Sequence, residues 1–572
     1  MTIENTQHFS RLPTKQPRHR LFGWFVSLTI WTISTTIGSV QAAERVEFGI
    51  GTIEFGISVK ELETYANRGI VGTELEPFLG AVEPKDRKYV RQFLKLQSDF
   101  TPLQVSQFFY SAVGEKMLTY LGDLVQSVRV AAPKSQRNLN GAKAIRTGLI
   151  AAAAAPGGLS LLTFFQKYPA PTLRLDLKKG FEVANKIDKL GKETERAISG
   201  VEQLSSTLAQ SEPKIAPAAM ANLASPGRYP VTLQPEILTD PRRNRQFTAD
   251  FYLPQGLSQP APVIVLSHGL ASDRQHFAAI AKHLASHGFV AVTVEHPGSS
   301  LQKFKNLLAG SSKELFDVSE FIDRPKDVSY ILDDLGRRLP GIANVQQVGV
   351  IGHSFGGYTA LAVAGATIDF DYLTKACSQE FNPANASLLL QCEALKLPRQ
   401  AYNFRDDRVK FALAINPIES SIFGPKGMAK IQTPVAIAAS SEDVVASAVL
   451  EQIKPFSWIV SPERYLFVAR GVGHVTDVRA FIRAFMPSLV SVIPDKNIEP
   501  LREYARIFIL ALVQTHVANE TNYRPYLQAG YATSISQSPN QISILRSLTT
   551  EQLDKMLQLE PPISKSNIRS RN

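Results

Sequence analysis

With 572 residues, 44% of them hydrophobic and 20% charged, the chain is long enough for two or three domains and too apolar for a disordered polymer. Its net charge of +11 is not gathered into Lys/Arg runs with interleaved aromatics, which argues against a nucleic-acid partner; a basic surface of this kind favours, at most, association with an anionic membrane surface. Two cysteines, Cys377 and Cys392, are too few and too far apart for a zinc site of their own.

In chain order, Arg11, Lys15, Arg18 and Arg20 precede an uncharged stretch, Leu21 to Ile37, and the small residues around Ala42 suit cleavage after that position. Residues 1–42 are therefore expected to be a signal peptide, with an uncleaved N-terminal membrane anchor as the other reading. Either places the body in an exported, periplasmic or extracellular, compartment. Removing the segment leaves 58 basic and 50 acidic side chains.

Arg45 to Ser58 alternates like one or two short strands, and helical spacing follows: Leu62, Tyr65 and Ala66, then Leu75, Phe78 and Leu79, then Val90, Phe93 and Leu94. An Ala-rich helix, Ala142 to Ala155, ends at Pro156-Gly157-Gly158. Residues 44–178 are predicted to form a separate, mainly helical domain with no organised chemistry. Residues 179–230 read as a charged helix, Phe181 to Leu208, followed by a linker rich in Ala, Pro and Ser.

From residue 231 to 495 the rhythm changes. Two alternating strands, near Val231 and Phe247, open an antiparallel start. Continuous apolar strands then follow at 263–266, 290–294, 348–351, 409–415, 435–439 and 464–468, with amphipathic helices between the earlier ones; this is the pattern of a parallel sheet covered on both faces. Residues 366–408 interrupt it as a lid-like insertion, in which Tyr372, Phe381, Leu388 to Leu390 and Leu395 are apolar enough to touch an acyl chain. The C-terminal residues 496–572 read as a helical extension.

The chemistry is concentrated after the strand at 348. Gly352-His353-Ser354-Phe355-Gly356 joins that strand to a helix in the Gly-x-Ser-x-Gly pattern of a nucleophile elbow, where glycines keep side chains out of a sharp turn that exposes the serine. In chain order a carboxylate and then a histidine should follow at the same sheet edge. Strand 435–439 runs into Ser440-Ser441-Glu442-Asp443, and the strand ending near Val468 runs into Gly471-Val472-Gly473-His474.

Glu442 and Asp443 compete for the acid role, and Asp443 is chosen because Glu442 should point the other way. The expected triad is Ser354, Asp443 and His474, with the backbone N–H groups of Leu270 and Phe355 as the oxyanion hole. His268, His353 and His296 are expected to support loops or line the pocket. Cys377 and Cys392 either form a local disulfide or remain two buried thiols. His283 and His287 stand four apart, but Leu284 replaces the glutamate of a metalloprotease helix, so neither metal nor cofactor is expected.

These residues imply an α/β-hydrolase fold, a mostly parallel sheet with helices on both faces. The chain resembles exported bacterial α/β hydrolases related to platelet-activating-factor acetylhydrolase and dienelactone hydrolase that carry a helical domain in front. Matching stretches include Ser58 to Leu79, Phe108 to Gly122, Leu266-Ser267-His268-Gly269, Glu295-His296-Pro297-Gly298, Phe321-Ile322-Asp323-Arg324-Pro325, Gly352 to Gly357, Asn416-Pro417-Ile418 and Gly473-His474.

The resemblance implies hydrolysis of carboxylic esters, short-acyl or lipid. It departs at Ala414-Ile415-Asn416-Pro417, where acetylhydrolases of that type carry the catalytic acid; Asp443 then serves, as in cutinase-like and dienelactone-like enzymes. An acyltransferase on the same fold and a non-catalytic envelope binding protein are the alternatives.

Overall fold

The computed structural model describes residues 42–558 except 51–52, 81, 129–137, 215, 217–219, 380–382, 384 and 476–496. Residues 1–41 of the expected signal peptide, Phe381 of the insertion and residues 559–572 lie outside the described residues.

The first sheet comprises Arg45–Ile50 (β1), Ile53–Ser58 (β2), Val125–Val128 (β3), Asn138–Asn140 (β4) and Thr172–Asp176 (β5), in the order β2-β1-β5-β3-β4. The β1–β2 hairpin is antiparallel and β1–β5 parallel. Helices pack on it, with ends that the sequence marks. Ser58 accepts from the Glu61 N–H to start Val59–Arg68, Gly69 at φ 73° ends it, and Thr101 with Gln104 forms a capping box ahead of Pro102–Phe109. Leu62, Tyr65, Leu118, Tyr168 and Leu173 centre its apolar core.

Helices make up most of the regular structure of residues 44–178; β3, β4 and β5, which the sequence did not show, are four, three and five residues long, too short for alternation to stand out. It has its own sheet and its own buried cluster, and the chain from Ala42 onward forms one compact unit.

The helix expected over 181–208 runs Leu177–Ser211, about 52 Å at 1.5 Å per residue, capped by Asp176. Leu190, Ala197, Ile198 and Val201 line one stripe of it and join the largest buried cluster of the chain. It is therefore part of the core, not a spacer.

The second sheet has nine strands: Val231–Asp240 (β6), Arg245–Pro254 (β7), Ala261–Ser267 (β8), Val290–Val294 (β9), Ala343–His353 (β10), Val409–Ile415 (β11), Val435–Ser440 (β12), Arg464–Ala469 (β13) and Ile542–Leu545 (β14). Their order is β14-β13-β12-β11-β10-β8-β9-β7-β6. The strands from β9 through β8, β10, β11 and β12 to β13 pair in parallel, and β7 and β14 run antiparallel to their neighbours.

Both faces are buried. Val263 and Val265 enter one cluster while Ile264 and Leu266 enter the other, the period-two consequence of covering a sheet twice. The helices Glu320–Arg338 and Phe355–Val363 cover the first face, and Ala278–Ser286 with Glu499–His516 the second. Within 496–572, read as a helical extension, β14 stands among the helices. Its four residues pair with β13, and Met556 of the following helix packs on the first face.

The insertion forms helices Phe370–Cys377 and Ser387–Glu393, and Cys377 is disulfide-bonded to Cys392. Phe370, Leu373 and Leu390 are buried in the main cluster. One flank meets the front region through Lys116 and Glu393, 2.6 Å apart. The other meets the loop beyond Asp443, where the Ser387 N–H donates to the Val445 carbonyl at 3.0 Å.

Candidate active site

Strand β10 turns into the helix Phe355–Val363 at Ser354, whose φ of 56° and ψ of −117° are sterically costly for a residue with a Cβ. The turn is tied down by the Ser354 N–H donating to the Ile415 carbonyl (2.8 Å) and the Gly357 N–H to the Ser354 carbonyl (2.8 Å). Glycine is required on both sides. A methyl group at Gly352 would stand 1.9 Å from the Gly356 carbonyl oxygen, and one at Gly356 2.0 Å from that of Ser267.

The three side chains expected to meet do meet. Ser354 Oγ lies 2.9 Å from His474 Nε2, and His474 Nδ1 lies 2.7 Å from Asp443 Oδ2. Asp443 Oδ1 accepts from the N–H groups of Val445 (2.9 Å) and Ala446 (2.7 Å), so its carboxylate is held at both ends. That arrangement makes Nδ1 the protonated imidazole nitrogen and leaves Nε2 free to accept the serine proton.

The loop carrying His474 is anchored from four directions. Arg470 pairs with Glu195 (3.0 Å) and Glu202 (2.6 Å) on the long helix, and the Gly471 N–H donates to Ser441 Oγ at 2.9 Å. The backbone carbonyl of His474 accepts from His353 Nε2 (2.8 Å) and Asn416 Nδ2 (3.2 Å). Asn416, the residue after β11, thus holds the histidine's backbone.

The loop after β8 lies against the elbow, since a methyl group at Gly269 would come within 3.2 Å of Ser354 Cβ. Leu270 follows half-buried, and Phe355 is the first residue of its helix, so its N–H has no acceptor within that helix. His268 is a support rather than a second base. Its Nε2 accepts from the His296 N–H (3.0 Å), which makes Nδ1 the donor to the Gly269 carbonyl (2.6 Å).

His296 is fully enclosed between Asp327 (2.9 Å from Nδ1) and Ser267 Oγ (2.9 Å from Nε2). Burial holds His268, His296 and His353 well below the usual imidazole range, so all three are neutral. His287 Nε2 bonds to the Ser225 carbonyl (3.0 Å), and no group of three His, Cys, Asp or Glu able to hold a metal occurs among the described residues.

A buried ionic network beneath this loop was not singled out by residue spacing. Arg324 is fully buried and lies 3.4 Å from Glu320. Arg245 contacts Glu320 (2.7 Å) and Asp327 (2.8 Å), and Arg243 contacts Asp327 (2.8 Å) and Asp240 (2.7 Å). Burial lowers Arg324 to about 10, which leaves it a cation at neutral pH. Pro325 sits inside Glu320–Arg338 and has no N–H to offer the carbonyl of Phe321; the Tyr358 hydroxyl donates to it instead at 2.7 Å. The sequence signal for this region was only the Asp323-Arg324-Pro325 match.

Comparison with known proteins gives partial matches. Residues 42–176, the front region, match the family described as "Alpha/beta hydrolase of unknown function", and residues 246–309, from β7 past the His268 loop, match "Platelet-activating factor acetylhydrolase, isoform II". Platelet-activating factor acetylhydrolase from Canis lupus familiaris is 29% identical over 150 residues, 20% of this chain and 34% of the relative. The protein of that name from Bos taurus is 30% identical over 137 residues, 18% of this chain and 31% of the relative. That from Cavia porcellus is 29% identical over 135 residues, with the same two shares. The chain spans about a third of the length of these relatives. Ser354, Asp443 and His474 lie outside both family-matched stretches.

Proposed function

We propose that this chain is a serine hydrolase of carboxylic esters working through an acyl-enzyme. The observation that carries the reading is the unbroken line of contacts from Ser354 Oγ through His474 to Asp443, at 2.9 and 2.7 Å, starting from a serine held in a strained turn.

In this reading Ser354 Oγ attacks the acyl carbon as His474 Nε2 takes its proton, and the imidazolium is balanced by Asp443. The N–H groups of Leu270 and Phe355 receive the oxyanion. Collapse expels the alcohol with the proton returned by His474, and a water activated by the same nitrogen frees the acid and restores Ser354. No cofactor enters these steps.

The partial likeness to platelet-activating factor acetylhydrolases supports a short-acyl or lipid ester as substrate. Export is part of the proposal, supported by the N-terminal apolar stretch and by the Cys377–Cys392 disulfide, a bond that persists in oxidising compartments.

A panel of p-nitrophenyl esters of increasing acyl length is the test. The wild-type chain is expected to turn over at least the short members and Ser354→Ala none. Hydrolysis that survives in Ser354→Ala would refute the assignment. Adding an alcohol acceptor separates the alternatives: free acid as the main product supports a hydrolase, whereas a dominant new ester would make the chain an acyltransferase.

A further inference from the structure

We propose that Arg324 is the positioning residue of the oxyanion hole, orienting the Gly269–Leu270 peptide whose N–H would bind the developing charge and packing on the side chain of Phe355, which offers the other N–H. The inference rests on the ester-hydrolase reading of Ser354 and adds to it a residue that touches neither the substrate nor the triad.

The geometry is that of one cation behind two peptides. Arg324 donates from one terminal nitrogen to the His268 carbonyl at 2.7 Å, and its other terminal nitrogen lies 3.5 Å from the Gly269 carbonyl. In a trans peptide the C=O and the next residue's N–H point in opposite directions. Turning the His268 and Gly269 carbonyls toward the guanidinium therefore turns the Gly269 and Leu270 N–H groups away from it. Gly269 packs against Ser354, so the face opposite the buried cation is the one that meets the elbow.

The same guanidinium lies 4.3 Å from the centre of the Phe355 ring, and Phe355 supplies the second donor. Its own orientation is fixed by Nε donating to Ser299 Oγ at 2.9 Å and by Glu320 3.4 Å away. A planar fork is required for this. A lysine could reach one carbonyl but could not also hold Ser299 and the second carbonyl from the same fixed fork.

The test compares p-nitrophenyl butyrate with its thiono analogue, in which sulfur replaces the carbonyl oxygen. Sulfur is the poorer hydrogen-bond acceptor, so a defect confined to the hole slows the oxygen ester far more than the thionoester. In Arg324→Lys, kcat/KM for the oxygen ester is expected to fall about 10²-fold, the scale of losing one oxyanion donor, with the fall mainly in kcat. The thionoester should lose much less, so the oxygen-to-sulfur rate ratio drops.

Ser299→Ala removes the Nε contact together with the hydroxyl's own bond to Glu320, leaves both terminal nitrogens of Arg324 in place, and should give a smaller drop in the same ratio; it decides the matter if Arg324→Lys fails to show a wild-type circular dichroism spectrum and cooperative melt. Equal losses on both esters, or no loss in a folded variant, would overturn the inference while leaving the hydrolase reading intact. A wild-type chain inert toward both esters would instead remove the hydrolase reading and this inference with it.

Discussion

Two strand ends divide the handling of His474. The loop after β12 brings Asp443 to the ring, and β11 is followed by Asn416, whose amide donates to the backbone carbonyl of the same histidine. Asp443→Asn should lower kcat about 10⁴-fold with little change in KM, because an amide donor at Nδ1 favours the wrong tautomer. Adding Asn416→Asp to that variant should not restore activity, since the new carboxylate would face a carbonyl oxygen rather than an N–H. Steady-state kinetics on the two variants check both statements, and recovery in the double variant would show that the acid can act from β11. The meeting of Ser354, Asp443 and His474 could be read in the sequence because each follows an apolar strand at a glycine or acidic turn. The carbonyl clamp could not, because an asparagine after a strand looks the same whether it holds a backbone or nothing.

At the scale of elements, the long parallel strands were legible because continuous apolar runs such as 263–266 and 435–439 can satisfy a sheet buried on both faces and little else. The short strands β3, β4 and β14 were not. Their pairing comes from neighbours brought together by tertiary contacts rather than from their own pattern. The insertion is a case where sequence left a choice open. Its two helices are joined by Cys377–Cys392 across a separation of 15 residues and are packed into the core. Closing a loop of that length stabilises by about 3 kcal/mol in the chain-entropy view. Replacing both cysteines by serine should lower stability by that order in urea unfolding, with faster amide exchange over residues 370–397 than over β10. Unchanged exchange in the insertion would mean that core packing alone holds it.

For the whole molecule, burial of neutral histidines ties stability to pH. His283 and His516 are both pushed down to about 4 by burial, away from the active site. Below the usual imidazole value near 6.5 the unfolded chain takes up protons that the folded chain refuses until about pH 4. Each such histidine therefore contributes a loss of roughly 1.4 kcal/mol per pH unit as pH falls through that window, and nothing above it. His516 stacks on Phe411 with ring centres 5.3 Å apart, so His516→Phe keeps an aromatic ring there. Its stability relative to wild type should rise steadily from pH 6.5 to 4.5 in denaturant titrations. A difference that does not vary with pH would place the titrating groups elsewhere.

The whole functional reading depends on Ser354 being a nucleophile activated by His474. The most direct measurement is mass spectrometry of peptides from the full chain after reaction with a fluorophosphonate. One phosphonyl group is expected per chain, on the peptide containing Ser354, with the modification absent in Ser354→Ala and strongly slowed in His474→Ala. An unmodified Ser354 in folded wild-type protein, or equal labelling in the His474→Ala variant, would contradict it.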